Sequence, residues 1–137
     1  MTLAISTTLH TSFEEAVEMT RKALSNQGFG VLTEIDVKAT LKEKLDEAME
    51  DYLILGACNP ALAHRAIGVD RQIGLLLPCN VVVRSDPDRR GVVIVDAMDP
   101  QLMVQVADQP GLRAVADEAS AKLRAAIDEL SQASSSD

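Results

Sequence analysis

The chain has 137 residues, the usual size of one domain, and 47% of them are hydrophobic, so most of the chain should fold around a core. Its 21 acidic and 13 basic residues give a formal net charge of −8, which opposes binding to nucleic acid or to an anionic membrane. Two phenylalanines, one tyrosine and no tryptophan mean that the core must be aliphatic and offers no platform for stacking bases or sugars.

The sequence has no recognisable membrane span or signal peptide. No apolar run reaches the roughly 18–20 residues of a span, and residues 1–15 lack a basic region followed by a long apolar core. Two cysteines without a secretory signal indicate a reducing cytoplasm, where both are thiols by default. We therefore expect a cytoplasmic protein.

The first third of the chain predicts a strand, a helix and a second strand. Leu3 to Leu9 alternates in hydrophobicity, and Ser12 with Glu15 forms a capping box at the start of the helix that follows. The second strand spans Phe29 to Ile35, and its alternation places Glu34 on one side. The opposite side then carries Phe29, Val31, Thr33 and Ile35.

Two capped helices flank the next strand. Asp36 caps a helix that precedes Tyr52 to Ala57, a nearly continuous apolar run typical of a strand buried on both faces. Asn59 and Pro60 then combine a good helix cap with the residue favoured at the first helical position. This third helix is predicted to end at Gly68.

An antiparallel hairpin is predicted next. Its strands are Leu75 to Arg84 and Val92 to Met98, joined by a turn cluster at residues 85–91. Pro78 cannot donate a hydrogen bond, so the first strand should begin at an edge or a bulge. One face of that strand is predicted to carry Leu75, Leu77, Cys79, Val81 and Val83.

Helical patterns complete the chain. Asp99 and Pro100 open a short helix through Val106, and the longest helical pattern reaches Leu130. Residues 1–130 are therefore predicted to form a single domain, and the polar, serine-rich residues 131–137 a disordered tail.

This order of elements favours an α+β fold, with one mixed or antiparallel sheet covered by helices on one face. A doubly wound nucleotide-binding sheet fits less well, because the hairpin breaks the alternation of strands and helices. In addition, no glycine-rich phosphate loop follows any of the predicted strands.

Three segments resemble the signature blocks of the domain of unknown function (DUF) family 302. They are GFGVLTEIDVKATLKEKL (Gly28 to Leu45), LGACNPALAHRAI (Leu55 to Ile67) and GLLLPCNVVV (Gly74 to Val83), in the family's order. The resemblance implies a TATA-binding-protein-like fold, with a curved antiparallel sheet and helices on one side, and a homodimer. It implies no established reaction, and a fold shared with a DNA-binding protein does not carry DNA binding across.

The two cysteines are the most reactive groups that the sequence places in apolar surroundings. Cys58 immediately precedes the helix start at Asn59, and the positive end of a helix favours a nucleophilic thiol. The alternative is a small buried residue that ends a strand. A dyad of Cys58 with His64 is disfavoured, because six residues along a helix do not share a face.

Cys58 and Cys79 could act as a pair. Two thiols cannot fill a tetrahedral zinc shell, but a linear two-thiolate site suits a soft ion such as Cu(I), with Met98 or Met103 as auxiliary ligands. A reversible disulfide is the second pairing. The remaining alternatives are unpaired thiols, or thiols that merely line a pocket.

The polar candidates have structural alternatives as well. Asn59 is explained by helix capping, whereas Asn80 is an amide in an apolar strand and needs a hydrogen-bond partner, of which a ligand is one kind. Glu34 and Asp96 could serve as general acid and base, or could simply face solvent.

Three classes of function remain open, and whether the chain is an enzyme is left undecided. We favour a homodimeric binding module that takes a small molecule or a soft metal ion in a cleft. The others are a thiol-dependent enzyme or redox sensor using Cys58, and a purely structural or interaction protein. The candidate ligand-binding residues are Cys58, Asn59, Cys79, Asn80, Glu34 and Asp96, with Cys58 and Cys79 as candidate metal ligands.

Overall fold

The computed structural model describes residues 4–135, with side chains through Ala133. Leu3 and residues 136–137, which fall in the predicted first strand and tail, lie outside the described residues. The strands are β1 Ala4–Leu9, β2 Gly30–Asp36, β3 Tyr52–Cys58, β4 Cys79–Ser85 and β5 Val93–Met98. The helices are α1 Phe13–Asn26, α2 Val37–Leu45, α3 Pro60–Val69, α4 Gln101–Ala107 and α5 Leu112–Ser135, with a 3₁₀ helix at Arg71–Leu76.

The five strands form one antiparallel sheet in the order β1-β5-β4-β3-β2. The predicted α+β fold is therefore confirmed, and so is the hairpin of β4 and β5. Alternate strand residues, including Leu55, Val81 and Val95, are fully buried and pack in one core with residues of α1 and α5. An aliphatic core of this kind stabilises the fold by removing apolar area from water.

A second apolar cluster lies beyond the end of the sheet. It joins α3, the 3₁₀ helix, α4 and the first half of α5 through Leu62, Ala66, Ile73, Met103, Leu112, Val115, Ala116 and Ala119. The long helix α5 belongs to both clusters, because its later residues Leu123 and Ile127 pack in the sheet core. The boundary between the clusters falls where β3 ends and β4 begins.

A β-bulge changes the facing of β2. Val31 is opposite Ala57, but the register shifts before Thr33, which is opposite Gly56. The predicted single face containing Val31, Thr33 and Ile35 is therefore wrong, because an extra residue in the strand reverses the alternation. Glu34 now lies on the helix-covered side with Leu55.

The start of β4 also differs from the prediction. Residues 75–78 are not strand: Leu75 belongs to the 3₁₀ helix and is 85% exposed, and β4 begins only at Cys79. Asp70 begins the 3₁₀ turn, since its carboxylate accepts the N–H of Gln72 at 2.9 Å. The apolar residues before Cys79 therefore resemble a strand in sequence without forming one. Cys79 itself is in the strand and is buried, as predicted.

Two further boundaries shift. β3 is fully buried on its helix-covered face but only partly on the other, where Gly56 is buried and Ile54 half-buried. α5 continues through Ser135, so residues 131–135 extend a helix instead of leaving it as a tail. The Ser131 hydroxyl lies 2.6 Å from that of Thr7, a hydrogen bond that ties this extension to β1. No helix within residues 4–135 is long and apolar enough to cross a membrane.

Candidate functional site

A small aliphatic cavity lies where the two apolar clusters meet. Its volume is about 20 Å³, close to the space that one water molecule needs. The β3–α3 junction, the start of β4, and helices α4 and α5 all contribute to its wall. The lining residues are Phe29, Ala57, Cys58, Asn59, Leu62, Ala63, Ala66, Leu77, Cys79, Met103, Val115 and Ala119.

Both cysteines line this cavity. Cys79 is opposite Ala57 in the β3–β4 ladder, so the two side chains share the helix-covered face. Cys58 is the next residue after Ala57 and ends β3. Both are free thiols; Cys79 is buried and Cys58 half-buried.

The thiol of Cys79 is held in its neutral form. Burial, and to a smaller extent the neighbouring charge of Cys58, together raise the pKa of Cys79 to about 11. Cys79 is therefore a protonated thiol at pH 7, and it gives up its proton only at high pH or to a ligand that replaces the proton.

Asn59 is fixed by its role as the cap of α3, as the sequence predicts. Its side-chain oxygen accepts the N–H of Leu62 at 3.3 Å. Its amide nitrogen packs against Gly28, where a Cβ would lie only 3.0 Å away. Gly28 has φ +84°, a conformation suited to glycine at the end of α1. The α1–β2 turn thus holds the residue that follows Cys58.

The structure separates the two methionines considered as auxiliary ligands. Met103 lines the cavity and is 2% exposed. Met98 is paired with Ala4 across β1 and β5, and lies on the opposite face from buried Ala97. Only Met103 therefore joins the two cysteines at one cavity.

The remaining sequence candidates lie elsewhere. Asn80 is exposed and opposite Gly56, on the face away from α1 and α5. Glu34 forms an ion pair with Arg21 of α1. Asp96 lies on β5, separated from the β2 strand of Glu34 by β3 and β4, and on the other face of the sheet.

Asp96 has protein partners of its own. It accepts hydrogen bonds from the Ser6 hydroxyl at 2.6 Å and the Arg84 guanidinium at 3.0 Å. Since Glu34 and Asp96 face opposite sides of the sheet, the structure does not bring them together as an acid–base pair.

The aliphatic wall of the cavity was not identified from the sequence. Ala63 and Ala66 of α3, and Val115 and Ala119 of α5, supply it. Val115 and Ala119 have i, i+4 spacing, which places the two side chains on one helix face and is equally typical of ordinary core packing. Small side chains on facing helices are the one signal that could have indicated room between them.

In the described part of the chain, no carboxylate or imidazole cluster competes with the sulfur atoms for a metal. Within residues 4–135, no group of three or more His, Cys, Asp and Glu side chains is arranged to hold an ion. His64 is exposed on α3 and does not line the cavity. Sulfur is thus the chemistry that this site offers.

Asn59→Ala is expected to lower the free energy of unfolding by about 1 kcal/mol, because it removes the cap of α3. Urea denaturation measures the change. Asn80→Ala is the matched control: it alters the asparagine of the second Cys-Asn pair, which is exposed, and should change stability by less than about 0.5 kcal/mol. Equal losses in both variants would contradict the capping role.

Comparison with known proteins identifies relatives by sequence and by fold. The chain superposes with a TM-score of 0.86 on the crystal structure of an uncharacterised conserved protein DUF302 from Bacillus stearothermophilus. The two are 27% identical, and the match covers 95% of this chain and 99% of the other. No curated protein matches the chain. The family described as domain of unknown function DUF302 matches residues 5–130. The chain therefore belongs to the DUF302 family.

Proposed function

We propose that this chain is a small cytoplasmic binding protein that holds one soft metal ion at the cavity between Cys58 and Cys79. The single observation that carries the proposal is that both thiols line the same small aliphatic cavity, although they are far apart in sequence. Thiolates are the ligands that soft ions such as Cu(I) prefer.

The size of the cavity favours an ion over an organic ligand. Pockets for drug-sized molecules have volumes of about 300–1,000 Å³, whereas this cavity measures about 20 Å³. The wall is aliphatic apart from the sulfur atoms and Asn59, which is engaged as a helix cap. A single ion fits this space, and polar organic groups would find few partners.

An enzymatic role has less support. None of the residues lining the cavity is His, Asp, Glu or Lys, so a general base for Cys58 is missing at the site itself. His64, the nearest imidazole in sequence, points away into solvent on α3. Binding therefore accounts for the site better than thiol-dependent catalysis does.

A redox role is the second candidate, favoured by the β3–β4 register. Cys58 directly follows the residue opposite Cys79, so the two α-carbons are close neighbours at the end of the ladder. A disulfide needs them within about 7 Å, with the two Cβ atoms turned toward each other. Exchange with a small-molecule disulfide would join the two sulfurs, release two small thiols and reduce the oxidant. The oxidised protein could no longer bind an ion through thiolates.

We also propose that the protein acts as a homodimer through the sheet face turned away from α1 and α5. Ile35, Ile54 and Val82 form one cross-strand row on that face. Ile35 is 50% exposed and the other two are half-buried. A second copy that covers this row would remove apolar surface from water.

Native mass spectrometry tests ion binding and assembly together. Protein purified under reducing conditions without chelator and titrated with Ag(I), a redox-stable substitute for Cu(I), is expected to form a dimer with one ion per chain. Cys58→Ser and Cys79→Ser should each lose that stoichiometric ion, since one thiolate remains. Zn²⁺ is the control metal, because two thiolates cannot complete its tetrahedral shell. Wild-type protein that retains no Ag(I) would refute the metal proposal, and a monomer would refute the dimer.

A further inference from the structure

We propose that Met103 is the third ligand, so that Cys58, Cys79 and Met103 form a three-sulfur site for a monovalent d¹⁰ ion such as Cu(I). This inference rests on the proposed function and specifies its coordination. It assigns a binding role to a residue on α4, a helix that contains neither Cys58 and Asn59 nor Cys79 and Asn80.

The position of Met103 supports this assignment. α4 has seven residues, and Met103 is its one buried residue. Val106 of the same helix is 67% exposed, and Met103 is the residue that α4 contributes to the lining of the cavity. A methionine there presents a soft, polarisable thioether on a flexible stem. Leucine would fill the same space equally well but has no sulfur atom to bind an ion. A Met103→Leu variant therefore separates a ligand role from a packing role.

The charge balance of the site favours a neutral third ligand. Two thiolates and a monovalent ion leave a net charge of −1 in apolar surroundings, where an unpaired charge is costly. A thioether adds a donor without adding charge. One of the two thiolates, that of Cys58, is half-buried and directly precedes the N-terminal cap of the ten-residue helix α3, so part of the negative charge lies near that helix end. The positive end of that helix offsets part of it.

The number and kind of donors also select the ion. Three sulfur ligands suit soft monovalent ions, whereas zinc takes four ligands and magnesium or calcium takes oxygen. Binding breaks the two S–H bonds, forms two metal–thiolate bonds and one metal–thioether bond, and releases two protons to solvent. No electrons are transferred, so the site needs no oxidant or reductant.

Ag(I) competition titrations of two methionine variants test the proposal. Met103→Leu is expected to weaken Ag(I) binding by about ten- to hundredfold, the range found when supporting groups of a metal site are removed. Met98→Leu is the matched control, because Met98 lies on the other face of the sheet. This variant should bind Ag(I) with the affinity of the wild-type protein. Leucine nearly conserves the volume of methionine, so the variant should remain folded.

Methyl NMR of wild-type protein labelled with ¹³C at the methionine methyl groups gives an independent readout. The ε-methyl resonance of Met103, assigned in the wild-type protein through its connection to the backbone resonances of residue 103, should shift on addition of Ag(I), while that of Met98 stays in place. This readout decides the question even if Met103→Leu fails to fold.

The possible failures are distinguishable. Unchanged affinity in Met103→Leu together with an unmoved methyl resonance would overturn the proposal that Met103 is a ligand. If the cysteine variants still lost Ag(I) in that case, the proposal of a two-thiolate site would stand. Failure of the wild-type protein to bind Ag(I) at all would overturn both proposals.

Discussion

Gly56→Ala is expected to lower the free energy of unfolding by about 2 kcal/mol, a typical cost of overpacking a well-packed site. A Cβ at position 56 would overlap the Thr33 hydroxyl oxygen and would lie 2.8 Å from Cγ of Pro78. Pro78 is a rigid ring, and it immediately precedes Cys79. The strand or the segment leading into the cavity must therefore move. Urea denaturation of the variant measures the loss.

Gly30→Ala is the matched control for this change. Gly30 is also a strand glycine, but a Cβ there would meet no atom within 4 Å, so its substitution should alter stability by less than about 0.5 kcal/mol. Thr33→Ala in the Gly56→Ala background removes one of the two overlapping groups and should recover part of the loss. A Gly56→Ala protein as stable as the wild type would show that the close approach of Pro78 carries no constraint.

Raising the pH from about 9 to about 11 is expected to reduce the contribution of Cys79 to the free energy of unfolding by about 2–3 kcal/mol. Burial raises the pKa of Cys79 from 9.0 to about 11 in the folded protein. Between these values the unfolded chain has lost the thiol proton and the folded chain has kept it. The stabilising contribution of Cys79 is therefore fully present below pH 9, and between pH 9 and pH 11 it falls by roughly 1.4 kcal/mol per pH unit.

Comparison with Cys79→Ala isolates this effect, because other groups also titrate at alkaline pH. The difference in unfolding free energy between wild type and Cys79→Ala, from urea denaturation at several pH values, should shrink as the pH rises. Cys58→Ala is a second control: it should make the total loss smaller without abolishing it, since burial is the larger of the two causes of the raised pKa of Cys79. A difference that does not vary between pH 8 and pH 11 would mean that the Cys79 thiol is not buried in solution.

The local structure of this chain was largely predictable from its sequence. Helix starts at Ser12, Asp36 and Asn59 were each predicted, and each side chain accepts the expected backbone N–H. The reason is that a cap depends on a side chain and on backbone only a few residues away. Strand existence, the α+β class and the hairpin followed from periodicity and turn residues in the same way.

Errors arose where a local pattern depended on distant partners. Leu75 belongs to an apolar run that resembles a strand, yet it lies in a 3₁₀ helix with no strand to pair with. The bulge in β2 reversed the facing of Thr33, and no turn residue indicates it. The serine-rich segment beyond Leu130 continues α5, where a hydroxyl of β1 meets Ser131.

The sequence by itself determined which groups bring unusual chemistry, namely two thiols in aliphatic segments, and where the helices beside them begin. Only the tertiary structure decided which groups meet. The β3–β4 register places Cys79 beside the end of β3 and turns Asn80 to the other face, and the packing of α4 selects Met103 over Met98. The physical reason is that capping and periodicity act over a few bonds, whereas register and helix packing are set by burying apolar surface between segments that are far apart along the chain.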